Sequence, residues 1–170
     1  MGNWVRAPKG GMVPRAQATA ATCWLTCYRM MYECRGLDPA TIGPKLKAGG
    51  VDIDAAVTGG LDRSDFMKAA KALGLKPWGG GQSWSAADFK SWLAVSPVWI
   101  AGCWHPASPH IVILTGASDD QVEFIDPWWQ GVEEATIAQR FTNDFVHGDG
   151  RHARGTDFYM GQIGGAAVWA

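Results

Sequence analysis

Charge is scarce in this 170-residue sequence: Asp, Glu, Lys and Arg make up 18% of it, and 15 basic against 16 acidic side chains leave a net charge of -1. No overall field exists to gather a polynucleotide or an anionic bilayer, so neither nucleic acid nor a membrane is an expected partner. Long apolar runs are missing as well. Nothing approaches the ~18 residues of a membrane span, and the first ten residues carry no apolar stretch of signal-peptide length. Arg6 stands where N-myristoylation of Gly2 wants Ser or Thr, which argues against a lipid anchor. The expectation is a soluble protein, cytoplasmic where it is made.

Cysteine is sparse: Cys23, Cys27, Cys34 and Cys103, with no Cys-x-x-Cys spacing, so no zinc site is expected and the thiols are expected to be reduced. A Cys23–Cys27 bridge within one helix is disfavoured, because Cβ atoms about 5–6 Å apart exceed the ~3.8 Å a disulfide wants. His105 with His110, and His147 with His152, miss the i, i+4 spacing of a helical metalloprotease site. Gly79-Gly80-Gly81 lacks the Lys-Ser/Thr of a phosphate cradle and reads as a loop. No metal and no organic cofactor is expected.

What is present is apolar mass. With 47% hydrophobic residues the chain can bury roughly 70% of its unfolded surface, in one domain over residues 1–170. Gly 22 and Pro 9 exceed the average share and imply many loops. Trp24, Cys27, Tyr28, Met31 and Cys34 recur at steps of three and four, which predicts a buried amphipathic helix from Thr22 to Arg35, stopped by Gly36. A second helix is expected from Asp62 or Ser64 through Phe66, Ala69, Ala70 and Leu73 to Gly74. Ser85-Ala-Ala-Asp88 is a capping-box pattern opening a third that ends near Val95. Beyond Pro97 the β-branched and aromatic runs 98–100, 111–114 and 122–125 read as strands, the last two as an antiparallel hairpin. Helices followed by strands predict an α+β fold.

Cys23 opens the first predicted helix, off its apolar stripe, and a helix N-terminus favours the thiolate, the nucleophilic form. Residues 1 to 32 hold Arg6, Lys9, Arg15 and Arg29 and no acid. A nucleophilic cysteine needs a base, and His110 precedes a strand that could hold its ring rigidly, whereas His105, His147 and His152 fall in Gly- and Pro-rich loops. Asp126 ends the next strand. A hairpin whose paired numbers sum to an even value near 236 to 238 puts His110 and Asp126 on one face, opposite or diagonal. Taken singly, each has a plainer reading: a small buried thiol, a hydrogen-bonded strand-edge imidazole, an Asp-Pro turn. Cys27 and Cys34 are assigned to packing. Most of the ten tryptophans are assigned to the core, with Trp78, Trp84, Trp128 and Trp129 as candidates for a cleft wall.

Together the segments resemble papain-like cysteine peptidases. Gln17-Ala-Thr-Ala-Ala-Thr-Cys23-Trp24 is similar to that family's active-site helix entry, with glutamine six residues before the nucleophile and tryptophan after it. His110-Ile-Val-Ile-Leu-Thr-Gly116 through Phe124-Ile-Asp126-Pro127-Trp128 resembles the catalytic His strand and the following Asn or Asp. The similarity covers about Gln17 to Arg35 and Pro97 to Trp129, leaves 36–96 unmatched in detail, and is nearest the small bacterial branch of effector proteases and bacteriocin-leader peptidases. It implies an N-terminal helical part packed against a C-terminal antiparallel sheet. It further implies a Cys23, His110, Asp126 triad, an oxyanion hole from the Gln17 amide and the Cys23 N–H, and Trp24 and Trp128 as shielding or cleft residues. Asp126 stands where papain has Asn and would hold His110 protonated more firmly.

What the resemblance implies biologically is a bacterial toxin or effector. It would be delivered by a signal-peptide-independent route and cut a protein or peptide inside a target cell, with an immunity or inhibitor protein in the producer, and the likeness to leader peptidases implies a glycine-rich cleavage site. Two other functions use the same residues: a cell-wall peptide amidase or transamidase, and a binding module that keeps the fold without turnover.

Overall fold

A computed structural model describes residues 3–8, 10, 12–79, 85–105, 108–119, 121–127, 136–137, 140–142, 157–159 and 165–169. After a two-residue strand β1 (Val5–Arg6), the stripe read from the sequence becomes helix α1 (Cys23–Cys34). Its buried surface is broader than one stripe. Trp24, Cys27, Tyr28, Met30, Met31 and Tyr32 are all fully buried, because further helices cover a second flank. Gly36 and Gly74 terminate α1 and α4 (Phe66–Ala72) with φ of +66° and +80°, the left-handed conformation that a Cβ disfavours.

Two short helices, α2 (Ile42–Ala48) and α3 (Ile53–Gly59), occupy the stretch for which no elements are predicted from sequence. Each buries at most two side chains, Ile42 and Leu46 in α2 and Ala56 in α3, too few for a periodic signal, and they are fixed by docking these into the core. The expected third helix is α5 (Ala86–Leu93), and its capping box is present in both directions: Ser85 Oγ accepts from the Asp88 N–H and Asp88 Oδ2 accepts from the Ser85 N–H.

The strands are β2 (Lys76–Gly79), β3 (Val98–His105), β4 (Ser108–Ala117), β5 (Val122–Ile125), β6 (Thr136–Ile137) and β9 (Gly165–Val168). They form an antiparallel sheet in the order β2-β9-β3-β4-β5-β6, with β1 also paired to β4. A separate parallel pair joins β7 (Arg140–Thr142) and β8 (Asp157–Tyr159). Helices thus dominate the N-terminal half and an antiparallel sheet the C-terminal half, as expected for α+β.

Two features depart from a simple helices-then-strands order. Strand β2 lies between helices α4 and α5, and the C-terminal β9 inserts between β2 and β3. Helices also lie on both sheet faces. Trp99, Ala101, Ile111, Ile113, Ile125 and Ala167 pack with α1 to α4, while Val98, Ile100, Val112, Leu114, Phe124 and Val168 pack with Phe89 and Leu93 of α5. The two-residue alternation sends each strand's side chains into one core or the other, so the runs 98–100 and 111–114 are continuously apolar, and 122–125 is interrupted by Glu123, which bonds Thr115 and Arg6.

Candidate active site

Cys23 is the first residue of α1 and keeps 8% of its surface exposed at the edge of the core. The helix that carries it is anchored on three sides. Trp24 Nε1 donates to Ala56 O of α3 (3.2 Å), Trp99 Nε1 of β3 donates to Trp24 O (3.4 Å), and the Cys27 thiol donates to Ile111 O of β4 (3.5 Å). That last contact lands next to His110, so Cys27, assigned to packing from the sequence, also sets the height of α1 against the histidine strand. Burial, with the nearby Cys23 and Asp126 charges, pushes the Cys27 thiol well up, and it stays neutral. Cys34 departs from the packing assignment. It is only partly buried, because the helix end emerges from the core, and its thiol donates to Pro8 O (3.1 Å).

His110 sits on β4 opposite Gly102 of β3. Strands β4 and β5 pair Ile113 with Ile125 and Leu114 with Phe124, a sum of 238, and this even register leaves His110 diagonal to Asp126 just past the end of β5. The two meet: His110 Nε2 lies 2.6 Å from Asp126 Oδ1, with side-chain exposures of 12% and 8%. Burial alone would lower the imidazole pKa. The Asp126 carboxylate, by charge and hydrogen bond, and then Cys23, by hydrogen bond and charge, outweigh it and push His110 up to about 10. With Nε2 engaged by Asp126, the bond to Cys23 falls to Nδ1. The ring is therefore an imidazolium at neutral pH, held between a carboxylate and a sulfur. Asp126 Oδ2 is buried with no hydrogen-bond partner among the described residues.

Gln17 is 3% exposed and tied on two sides: its backbone N–H donates to Pro127 O (2.7 Å) and its Nε2 to Thr19 O (2.7 Å). Only a donor can face the Thr19 carbonyl, so the amide orientation is settled and one N–H of Nε2 remains. The start of α1 offers further donors. No side chain caps it and its first turn holds no acid, in contrast to α5 and its capping box.

Of the other predicted site residues, Trp24 does not line a cleft. It is fully buried, edge-on to Tyr28, because the stripe turns its indole into the core. Trp78 belongs to β2 and stacks on Trp92 (4.5 Å between rings), packing against the core on the α5 face. Trp84, Trp128 and Trp129, with Gly80 and Gly81, lie outside the described residues. The sequence reading missed the turn from Thr19 to Thr22, where the two side chains and backbones bond one another, although threonines flanking Ala-Ala before a helix are a turn signal. Among the described residues no three His, Cys, Asp or Glu side chains gather in a way that could hold a metal ion.

A helix-borne thiol bonded to a strand-borne imidazole, itself bonded to a carboxylate past the next strand, within an α+β frame of this order, is the arrangement of papain-like cysteine hydrolases. The chain belongs to the family described as papain-like cysteine protease AvrRpt2, whose sequence pattern matches residues 10–145 and so spans Gln17, Cys23, His110 and Asp126. It is accordingly a cysteine protease. No curated protein matches it. Among the described residues no helix is long and apolar enough to cross a membrane.

Proposed function

We propose that the protein is an endopeptidase working through Cys23, His110 and Asp126 on one domain over residues 1–170. The observation that carries this is the 2.6 Å contact of Asp126 with a His110 ring that also bonds Cys23. The Cys23 thiolate attacks the scissile carbonyl carbon, and the C–O π electrons move to oxygen. The remaining Gln17 amide N–H and the Cys23 backbone N–H hold that oxyanion. The His110 imidazolium gives its Nδ1 proton to the leaving amine as the C–N bond breaks, leaving a thioester on Cys23. Neutral His110 then takes a proton from water as its oxygen adds to the thioester carbonyl; collapse of that intermediate breaks the C–S bond, releases the carboxylic acid and restores the thiolate–imidazolium pair. Asp126 keeps the ring oriented and charged throughout.

The family membership favours a protein substrate. The reading we put to the test is a bacterial effector or toxin acting on a protein in a target cell while a neutralising partner protects the producer. The test is a comparison of new protein N-termini in a target-cell proteome exposed to the wild type or to Cys23→Ala. The proposal predicts a small set of cuts made by the wild type alone. Identical termini from both proteins would overturn it.

A further inference from the structure

We infer that the Thr22 hydroxyl is a positioning residue that aims the Gln17 amide, acting through the turn from Thr19 to Thr22. This rests on the oxyanion role given to Gln17 above. A threonine at a helix N-cap ordinarily turns its oxygen forward to accept a first-turn N–H. Thr22 does the reverse. At φ -107° and ψ 18° its backbone is outside the extended conformation of a cap, and its side chain makes no cap bond. Its Oγ1 instead accepts from the Thr19 N–H (3.1 Å) and donates to Thr19 O (3.1 Å), closing the turn from both ends. Thr19 Oγ1 adds a contact to Thr22 Oγ1 (3.4 Å) and accepts from the Ala21 N–H (3.3 Å).

Two consequences meet at the site. The carbonyl held by this latch, which accepts from the Thr22 hydroxyl (3.1 Å) and from the Thr22 N–H (3.2 Å), is the one that receives Gln17 Nε2 at 2.7 Å, so the hydroxyl shares in setting where the second amide N–H points. The backward rotamer also leaves the N–H groups at the start of α1 uncapped and available to an oxyanion beside Cys23. Thr22 is only 7% exposed, so water is poorly placed to replace a lost hydroxyl. Gln17 Oε1 has no hydrogen-bond partner among the described residues, so Thr19 O is the contact that directs the amide.

The test compares Thr22→Val, which keeps the shape and deletes the hydroxyl, with Thr22→Ser, which restores it. An internally quenched peptide spanning one of the bonds mapped in the proteome experiment serves as substrate. Thr22→Val is expected to lower kcat at least about tenfold, short of the 10²–10³ that loss of a whole oxyanion donor costs, with KM little changed. Cys23 alkylation by iodoacetamide at neutral pH should stay at the wild-type rate, since the nucleophile and His110 are untouched, and Thr22→Ser should recover most of the kcat. In a Gln17→Ala background Thr22→Val should cost nothing further. Should Thr22→Val fail to fold, as judged by its melting transition, Thr22→Ala is measured in the same four ways. Wild-type kcat in the hydroxyl-free variant, alkylation falling in step with kcat, or an equally defective Thr22→Ser would overturn the inference. A Gln17→Ala enzyme with wild-type kcat would overturn the oxyanion reading itself, a result separable from failure at Thr22 alone.

Discussion

His110 concentrates the electrostatics of the site, since Asp126 and Cys23 together lift its pKa from 6.5 to about 10 against the pull of burial. The sign of the effect sets two pH dependences. Because the folded-state pKa lies above the ordinary value, the ion pair stabilises the fold fully below about pH 6.5 and ceases to do so as pH rises toward about 10. In the proposed mechanism the imidazolium is the acid, so kcat/KM should hold through neutral pH and fall on the alkaline side as that proton is lost. Asp126→Asn, which keeps a hydrogen-bond acceptor but removes the charge, should move that alkaline limb down toward neutrality, as read from kcat/KM profiles of the two enzymes. An unmoved limb would separate the carboxylate from the histidine. At this scale Cys23, His110 and Asp126 stood out in the sequence because each occupies the end of a strongly patterned element. The Thr22 latch and the Cys27 contact to Ile111 did not, since both depend on where a side chain turns, which no periodicity encodes.

Helix α1 is the element on which the site is mounted. Trp24 and Met31 are fully buried on it, one held by α3 and the other beneath Trp169, whose Nε1 donates to Met31 O (2.9 Å). Trp24→Ala should therefore lower stability by about 3–5 kcal/mol and Met31→Ala by about 2–5 kcal/mol, measured by chemical denaturation. Values below about 1 kcal/mol would mean the helix is not seated as described. Elements with a clear period or a paired cap were legible: α1 by its stripe, α5 by Ser85 and Asp88, β3 to β5 by their apolar runs. Those held by tertiary contact were not. Strand β9 is Gly165, Ala166, Ala167 and Val168, a composition with little strand preference, and it becomes a strand because β2 and β3 flank it on both edges. Helix α2 contains Gly43 and Pro44, residues that read as loop, yet Leu46 fixes it in the core.

Across the whole molecule, the described residues between Asn3 and Gln17 bind the two layers together. Val5 and Arg6 pair with β4, Arg6 meets the buried Glu123 (3.1 Å), Pro8 O receives the Cys34 thiol at the far end of α1, Arg15 pairs with Glu33 (2.6 Å), and Gln17 ends beside Pro127. One segment thus touches the sheet, the back of the helix that carries Cys23 and the strand end that carries Asp126. The site exists only where these parts converge, which makes the protonation of His110 a report on the entire assembly. The most direct measurement is a pH titration of the His110 ring nitrogens by ¹⁵N NMR in the wild type, Cys23→Ala and Asp126→Asn. Both nitrogens should stay protonated through neutral pH and titrate near 10 in the wild type, and at lower pH in each variant. A wild-type ring that loses its proton near the ordinary 6.5, indifferent to Cys23 and Asp126, would contradict this.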